Sequence, residues 1–310
     1  MKETQTERRV RVCVVGSFMT DLVFRVHRFP RPGESMPGEE FGLFLGGKGF
    51  NQAIACHRLG AEVIMVGRIG ADYFGELFLK KMAEEGMSTE FVWRDPEMGT
   101  GVACPLIDAS GQNAIIGISR ANRRIDREQV AAAKEEIARA DVLMLQFEIP
   151  RQISFQAATI ARNAGKTVLL DPAPFHNIEL PIDQPIDYIV PNEIEAAELA
   201  QGDSIDNWAI DELKRGRQAV VVSVGADGAV VYDREGRRRL PAFSVKVVDS
   251  TGAGDAFRAG LAVSLAQGKD IDTAVRFANA CGALATTVLG AEPSMPALEE
   301  VESFLARQGG

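Results

Sequence analysis

DSTGAGDAF, residues 249–257, decides how this chain is read. The run before it, residues 243–248, alternates apolar and polar side chains and reads as a strand. The stretch after it, residues 252–267, is Ala-rich with apolar residues at helical spacing. Gly252, Ala253 and Gly254 are small enough for backbone amides to converge at the helix start. Those amides and the helix dipole form a site for an anion. A carboxylate at Asp255 repels an anion unless it has a task there. The task that fits is accepting a proton from a hydroxyl that attacks beside a phosphate. The simpler alternative is a helix cap, for which Asp is a favoured residue.

Outward from this segment the chain alternates between two periodicities. Residues 10–15, 62–66, 141–145, 166–170, 188–190 and 219–224 read as buried strands. Residues 51–59, 74–85, 154–163, 271–288 and 297–307 read as helices. The alternation implies an α/β fold, a central mostly parallel sheet flanked by helices. Two regions break the rhythm. In residues 21–45 and 89–118 short runs alternate in pattern, as at Phe24, Val26, Phe41, Leu43 and Leu45. A small antiparallel sheet attached to a single domain of residues 1–310 fits them. Such an appendage is a candidate lid, since phosphoryl transfer needs water kept out. The alternative is an extra edge sheet without a moving part.

Composition removes several function classes. The 310 residues carry 34 Lys and Arg against 43 Asp and Glu, a formal net charge of −9. That balance argues against a nucleic-acid partner, which needs clustered cations. It still permits a small anion held by amides and one Lys. The cysteines, Cys13, Cys56, Cys104 and Cys281, form no CxxC pair and read as buried thiols of a reducing compartment. The start of the chain lacks a signal-peptide core, and no apolar run reaches the roughly 18 residues that span a bilayer. The expectation is a cytoplasmic protein without a membrane partner. Arg237, Arg238 and Arg239 read as a solvated hairpin.

Three further motifs carry chemistry. GGKGFNQ, residues 46–52, comes close to a P-loop, because Gly42, Gly47 and Lys48 have the right spacing. Gly49 then stands where the magnesium-binding hydroxyl belongs, so the P-loop fails. The glycines instead permit close approach of backbone to a ligand, with Lys48 and Asn51 in reach of polar groups. A glycine turn capping a helix is the alternative. PNEIE, residues 191–195, follows a strand at the end where open α/β sheets bind ligands. Asn192 and Glu195 there suit a hydrated magnesium ion, or else merely start a helix. Ser223, Gly225 and Gly228 follow another strand and either cradle nucleotide phosphates or make a turn. No G-x-G-x-x-G follows the first strand, which argues against a dinucleotide-binding oxidoreductase.

These pieces, in this order, resemble the PfkB carbohydrate-kinase family, and within it the ribokinase branch. The likeness runs over residues 12–305. It includes Gly16-Ser17 with Asp21, FPRPGE at 29–34, QFEIP at 146–150, DPAP at 171–174 and LGAEPSMP at 289–296. The resemblance implies a ribokinase-like fold with a β-sheet lid. It also implies ATP-dependent phosphoryl transfer to a primary hydroxyl of a small sugar, first of all ribose to ribose 5-phosphate. Another sugar, a nucleoside or a sugar phosphate are alternatives, the last if Arg120, Arg123 and Arg124 reach the site. A catalytically silent sugar-binding regulator is the alternative outside the enzymes.

Residue by residue, the resemblance makes Asp255 the catalytic base and the amides of Gly252, Ala253 and Gly254 an anion hole. Asp21, Gly47, Lys48, Asn51 and Glu148 hold sugar hydroxyls. Asn192, Ser223, Gly225 and Gly228 lie near the nucleotide phosphates, Glu195 near magnesium, and Asn279 near the adenosine. A monovalent cation, potassium, takes Asp249, Thr251, Ala285, Val288, Gly290 and Ser294 as ligands. Two positions depart from the ribokinase pattern: Met19, where an Asn is usual, and Phe50, where a small residue is common. Both bear on which sugar fits. An exposed apolar lid edge can pair across a homodimer.

Overall fold

The computed structural model describes residues 8–110, 112–174 and 184–308. Residues 1–7, read above for a leader segment, lie outside them. In chain order the elements begin β1 (Arg11–Val15), β2 (Met19–Arg25), β3 (Glu40–Gly46), α1 (Lys48–Arg58), β4 (Glu62–Gly70), α2 (Tyr73–Glu84), β5 (Val92–Asp95), β6 (Gly101–Ile107) and β7 (Asn113–Ile118). There follow α3 (Arg127–Ala132), α4 (Lys134–Arg139), β8 (Val142–Leu145), α5 (Arg151–Asn163), β9 (Thr167–Leu170), β10 (Tyr188–Ile189), α6 (Glu193–Leu199), α7 (Ile205–Lys214) and β11 (Ala219–Ser223). The last are β12 (Ala229–Asp233), β13 (Gly236–Leu240), α8 (Ala253–Ala266), α9 (Ile271–Ala285), α10 (Ala291–Ser294) and α11 (Leu298–Gln308).

The large sheet has the order β13-β12-β11-β10-β9-β8-β1-β4-β5. From β11 to β5 every pairing is parallel, and only the two pairings of β12, with β11 and with β13, are antiparallel. Strand β1 shows why the sheet is covered on both faces. Val12 and Val14 point into one apolar cluster, with α1, α8 and α9, while Cys13 and Val15 point into the other, with α5 and α7. Period-two alternation of apolar residues on both sides leaves no solvated face. The chain leaves β1 first toward β4 and later returns on its other side at β8. The crevice at the carboxyl ends of β1 and β8 is therefore the switch point where ligands bind in such sheets.

The smaller sheet has the order β3-β2-β6-β7. Its outer pairs are antiparallel, but β2 and β6 run parallel, so the sheet is mixed rather than antiparallel. The stretch 89–118 also divides. Its first strand, β5, joins the edge of the large sheet beside β4, and only β6 and β7 belong to the appendage. The run 243–248 is not a strand. Its alternation has another cause: Phe243 packs edge-on against Phe304, centroids 5.3 Å apart, and Arg276 stacks over its ring at 5.2 Å. Arg237–Arg239 do form a hairpin strand. Arg238 is held by both oxygens of Asp233 at 2.8 Å each.

Among the described residues, no helix is long and apolar enough to cross a membrane. Cys13, Cys56 and Cys281 are buried and Cys104 is half-buried, all as free thiols. Burial pushes the three buried thiols up, which keeps them unreactive.

Candidate active site

Helix α8 begins at Ala253, and its cap is Gly252 in left-handed backbone, φ 81°. Asp255 therefore lies within the first turn and is not the cap. Its carboxylate is buried and turned toward α1. Oδ2 accepts from Asn51 Nδ2 at 2.9 Å, and Oδ1 accepts from Gln52 Nε2 at 3.0 Å. Two amides thus hold both oxygens in place. The N–H of Ala253 is taken by the Ser250 carbonyl at 3.2 Å. Among the described residues, the N–H groups of Gly252, Gly254 and Asp255 have no partner, so these three are free for an anion.

The GGKG turn serves packing before it serves a ligand. A Cβ on Gly47, where φ is 93°, would lie 2.6 Å from the Met19 amide, and one on Gly49 would lie 2.4 Å from the Ser17 amide. The glycines let α1 press against the turn after β1. This puts Lys48, Asn51 and Gln52 at the switch-point crevice. Glu148, after β8, accepts from the Lys48 amide at 2.9 Å and from the Ser17 hydroxyl. Burial pushes its carboxyl up, against the pull of Lys48. Asp21 reaches the same crevice from β2 and has no hydrogen-bond partner among the described residues. Burial first, then the charges of Glu148 and Asp255, carries it to about 7. A cavity of about 200 Å³ lies between the small sheet and the turns at 249–251 and 289–291, with Asp21 and Phe44 in its wall.

The two departures separate here. Phe50 is fully buried between Phe18 and Phe78, with centroids 5.7 and 4.8 Å away. It belongs to the core and does not bear on a ligand. Met19 is two residues before Asp21 in β2 and so shares its face. Its sulfur accepts from Asn122 Nδ2 at 3.4 Å.

Beneath the crevice runs a chain of buried charges. The Lys48 ammonium meets Asp171 Oδ2 at 3.3 Å. Burial works against that ammonium, but Asp171 and Asp255 raise its pKa overall. Gln52 Nε2 also donates to Asp171 Oδ2 at 3.0 Å, so one amide bridges Asp171 and Asp255. Asp171 Oδ1 pairs with Arg258 Nη2 at 3.2 Å, and the same nitrogen reaches Glu195 Oε2 at 3.3 Å. Lys48, assigned above to sugar hydroxyls, thus directs its ammonium to Asp171 and only its amide to Glu148.

At the far end, Asn192 and Glu195 form a capping box, each side chain accepting from the other's backbone N–H at 2.8 Å. Glu195 Oε2 is used by this box and by Arg258; Oε1 has no partner among the described residues and suits a water of a hydrated magnesium ion. Asn192 forms a bridge to Ser223 at the end of β11. Gly225 has φ 56° with open space beside it. Gly228 has a local reason to be glycine: a Cβ would lie 2.1 Å from the Leu240 carbonyl. Asn279 is buried and donates to the Leu240 and Pro241 carbonyls at 3.3 and 3.1 Å.

On the other side of α8, Asp249 gathers its own loop. Oδ1 accepts from the Thr251 amide and hydroxyl at 2.9 and 2.7 Å, and Oδ2 accepts from the Gly290 amide at 2.9 Å. The amides of Val248 and Asp249 donate to the Thr286 carbonyl. The 286–290 turn is thus tied to residues 248–251, and the Val288 carbonyl takes no hydrogen bond among the described residues. A carboxylate with acceptor capacity left and a free carbonyl fit a monovalent cation. Ser294 lies in α10 and donates to the Ala291 carbonyl at 2.8 Å.

Residues 10–298 match the profile of the pfkB family carbohydrate kinases. The chain belongs to that family. A ribokinase of Lactococcus lactis is 37% identical over 95% of this chain and 97% of its own length. Among solved structures, the ribokinase of Thermotoga maritima is 34% identical with a TM-score of 0.87, covering 96% of this chain and 99% of that one. The Arabidopsis thaliana ribokinase, solved with ribose and ATP, is 30% identical with a TM-score of 0.86 over 96% and 99%.

For a pfkB carbohydrate kinase, the sequence reading passed over three groups in the charge chain: Gln52, Asp171 and Arg258. Gln52 and Asp171 stand inside the quoted GGKGFNQ and DPAP segments, and Arg258 lies one turn of helix beyond Gly254. Two of the three arginines at 120–124 are otherwise engaged, Arg120 and Arg124. Arg120 donates to the Thr100 carbonyl at 3.3 Å, and Arg124 pairs with Asp95 and Glu97 at 3.3 and 3.0 Å.

Proposed function

We propose that the chain is a ribokinase, transferring the γ-phosphoryl group of ATP to the 5-hydroxyl of ribose. The observation that carries this reading is the Asp255 carboxylate, fixed on both oxygens beside three free amides at the start of α8. In the transfer, the bond from sugar oxygen to γ-phosphorus forms as the bond to the bridging oxygen breaks. The hydroxyl proton passes to Asp255, and the leaving charge stays on ADP. The free amides stabilise charge on the phosphoryl oxygens. Asp21, Glu148 and Asn51, with the Gly47 and Lys48 backbone, surround the sugar hydroxyls; the ribokinase solved with ribose and ATP supports that placement by its fold.

Asn192, Ser223, Gly225 and Gly228 flank the phosphates in this reading, and Asn279 the adenosine. Magnesium, held through water by Glu195, neutralises phosphate charge when bound. Asp249, Thr251 and Ser294 with the carbonyls of Ala285, Val288 and Gly290 hold potassium, which keeps the adjoining amides in register. The small sheet closes over the sugar as a lid. Phe41, Ile115, Ile116 and Ile118 are exposed on it. That apolar surface supports a homodimer through the lid, and a monomer in light scattering at micromolar concentration removes that part. A cytoplasmic location fits the free thiols. The test of the activity is ADP release with ribose across a sugar panel. Ribose should give the highest kcat/KM, and no ADP release with any sugar refutes the reading.

A further inference from the structure

Arg258 is a guanidinium with only 3% of its side chain exposed. It carries five N–H groups in a fixed fork. Nε donates to the Val190 carbonyl at 2.9 Å, and Nη2 serves Asp171 and Glu195. Nη1 has no hydrogen-bond partner among the described residues. Its location is specific: a Cβ on Gly254 would lie 2.6 Å from it. The helix explains this. Side chains of α8 lean toward its N-terminus, so Arg258, four residues after Gly254, runs up the helix to the first turn. Nη1 is not among the fully buried side-chain atoms that lack a partner, so this arm of the fork keeps access to solvent and to a ligand. Gly254, beside it, belongs to the first turn of α8, where the amides of Gly252, Gly254 and Asp255 are free.

We infer that Arg258 is a catalytic residue, whose Nη1 donates to the phosphoryl group in flight at the start of α8. This rests on the kinase reading above and deepens it. Asp171 and Glu195 aim the guanidinium, and Gly254 leaves room for it. As the sugar oxygen attacks and the bridging oxygen departs, charge accumulates on the equatorial and leaving oxygens, where a charged donor gains most. The same fork connects the carboxylate proposed for magnesium to the bridge, Asp171 and Gln52, that holds the base.

The experiment uses Arg258→Lys, which keeps a cation for Asp171 and Glu195 but loses the free arm of the fork. Three quantities are measured: kcat with ribose, affinity for ADP, and affinity for ADP with aluminium fluoride and magnesium, which mimics the transferring group. The expected result is a fall of about 10²–10³-fold in kcat and a matching loss of affinity for the fluoride complex. ADP affinity and the thermal melt should change little. Loss of kcat without a selective loss of the fluoride complex overturns the inference, as does near-wild-type kcat.

If Arg258→Lys folds poorly, the double variant Arg258→Met, Asp171→Asn removes the buried pair as a unit. Recovered stability with a loss of fluoride-complex affinity beyond that of Asp171→Asn alone supports a catalytic arginine; fluoride-complex affinity equal to that of Asp171→Asn, or recovered turnover, refutes it. Asp255→Asn serves as the control. It should bind the fluoride complex while losing turnover, so failure of the base assignment and failure of the arginine assignment give different patterns.

Discussion

Asp255→Asn separates a catalytic carboxylate from a structural one, and the structure sets the sizes. The side chain accepts two hydrogen bonds, from Asn51 Nδ2 at 2.9 Å and Gln52 Nε2 at 3.0 Å. An Asn keeps one acceptor and turns the other into a donor facing a donor. A remedy is built in. Asn51 Oδ1 is buried and has no partner, so a flip of the Asn51 amide presents an acceptor to the new N–H. The exchange leaves the same number of bonds, and the stability change should stay within about 1 kcal/mol. No cap is lost, since Gly252 is the cap. Loss of a general base costs about 10²–10⁴-fold in rate, roughly 3–5 kcal/mol of barrier. The assay is turnover of ribose with a coupled ADP readout, alongside a thermal melt and ATP calorimetry. Lost turnover with an unchanged melt and retained ATP binding is the expected outcome. Turnover near wild type refutes the role of Asp255 as base.

Three further outcomes follow from the same geometry. Asp21 titrates near 7 in the fold against about 3.9 in an unfolded chain, so the folded state holds the proton more tightly and its contribution to stability falls as pH rises from about 4 to 7. Sugar hydroxyls favour the ionised form, so ribose KM should fall as pH rises toward 7 and then level; an unchanged pH profile in Asp21→Asn contradicts this. Turnover should rise with potassium and lose that response in Asp249→Asn; equal rates in potassium and a large organic cation at matched ionic strength speak against the cation site. Met19→Asn restores an amide beside Asp21 and should tighten ribose binding by on the order of 1–3 kcal/mol, read as a lower KM; a higher KM with an unchanged melt means the pocket is shaped for a different sugar.

The central sheet was legible because its signals are local. Apolar runs of four to six residues identify β1, β4, β8, β9 and β11 without knowledge of their neighbours. The appendage was less legible, because alternation records which residues face inward and not which strand lies alongside. Nothing in residues 19–25 and 101–107 tells that β2 and β6 pair in parallel, or that β5 leaves to join the large sheet. The run 243–248 fails for the same reason. Its alternation reports a packed face on Phe243, satisfied by α11 and Arg276, with no ladder required.

The site divides along the same line. DSTGAGD and GGKG were legible as backbone devices, because small residues before a helix restrict what the chain can do locally. What each glycine accommodates was not. Gly47 and Gly49 make room for the β1–β2 turn, and Gly254 makes room for Arg258. The charges were least legible of all, because their meaning depends on partners far away in sequence. Asp171 is an unremarked residue of DPAP until the fold sets Lys48, 123 positions earlier, and Gln52 against one of its oxygens. Arg258 reads as a polar residue on an apolar helix until Asp171 and Glu195 converge on one of its nitrogens and leave the other free. Burying one guanidinium among three carboxylates is costly unless each is paired or used. Lys48 and Arg258 supply two positive charges against Asp171, Glu195 and Asp255, and Asn51 and Gln52 supply neutral donors to Asp255. Asp255, the residue proposed as base, is thus the one carboxylate of the three held by amides alone, so in that role it takes a proton without breaking an ion pair.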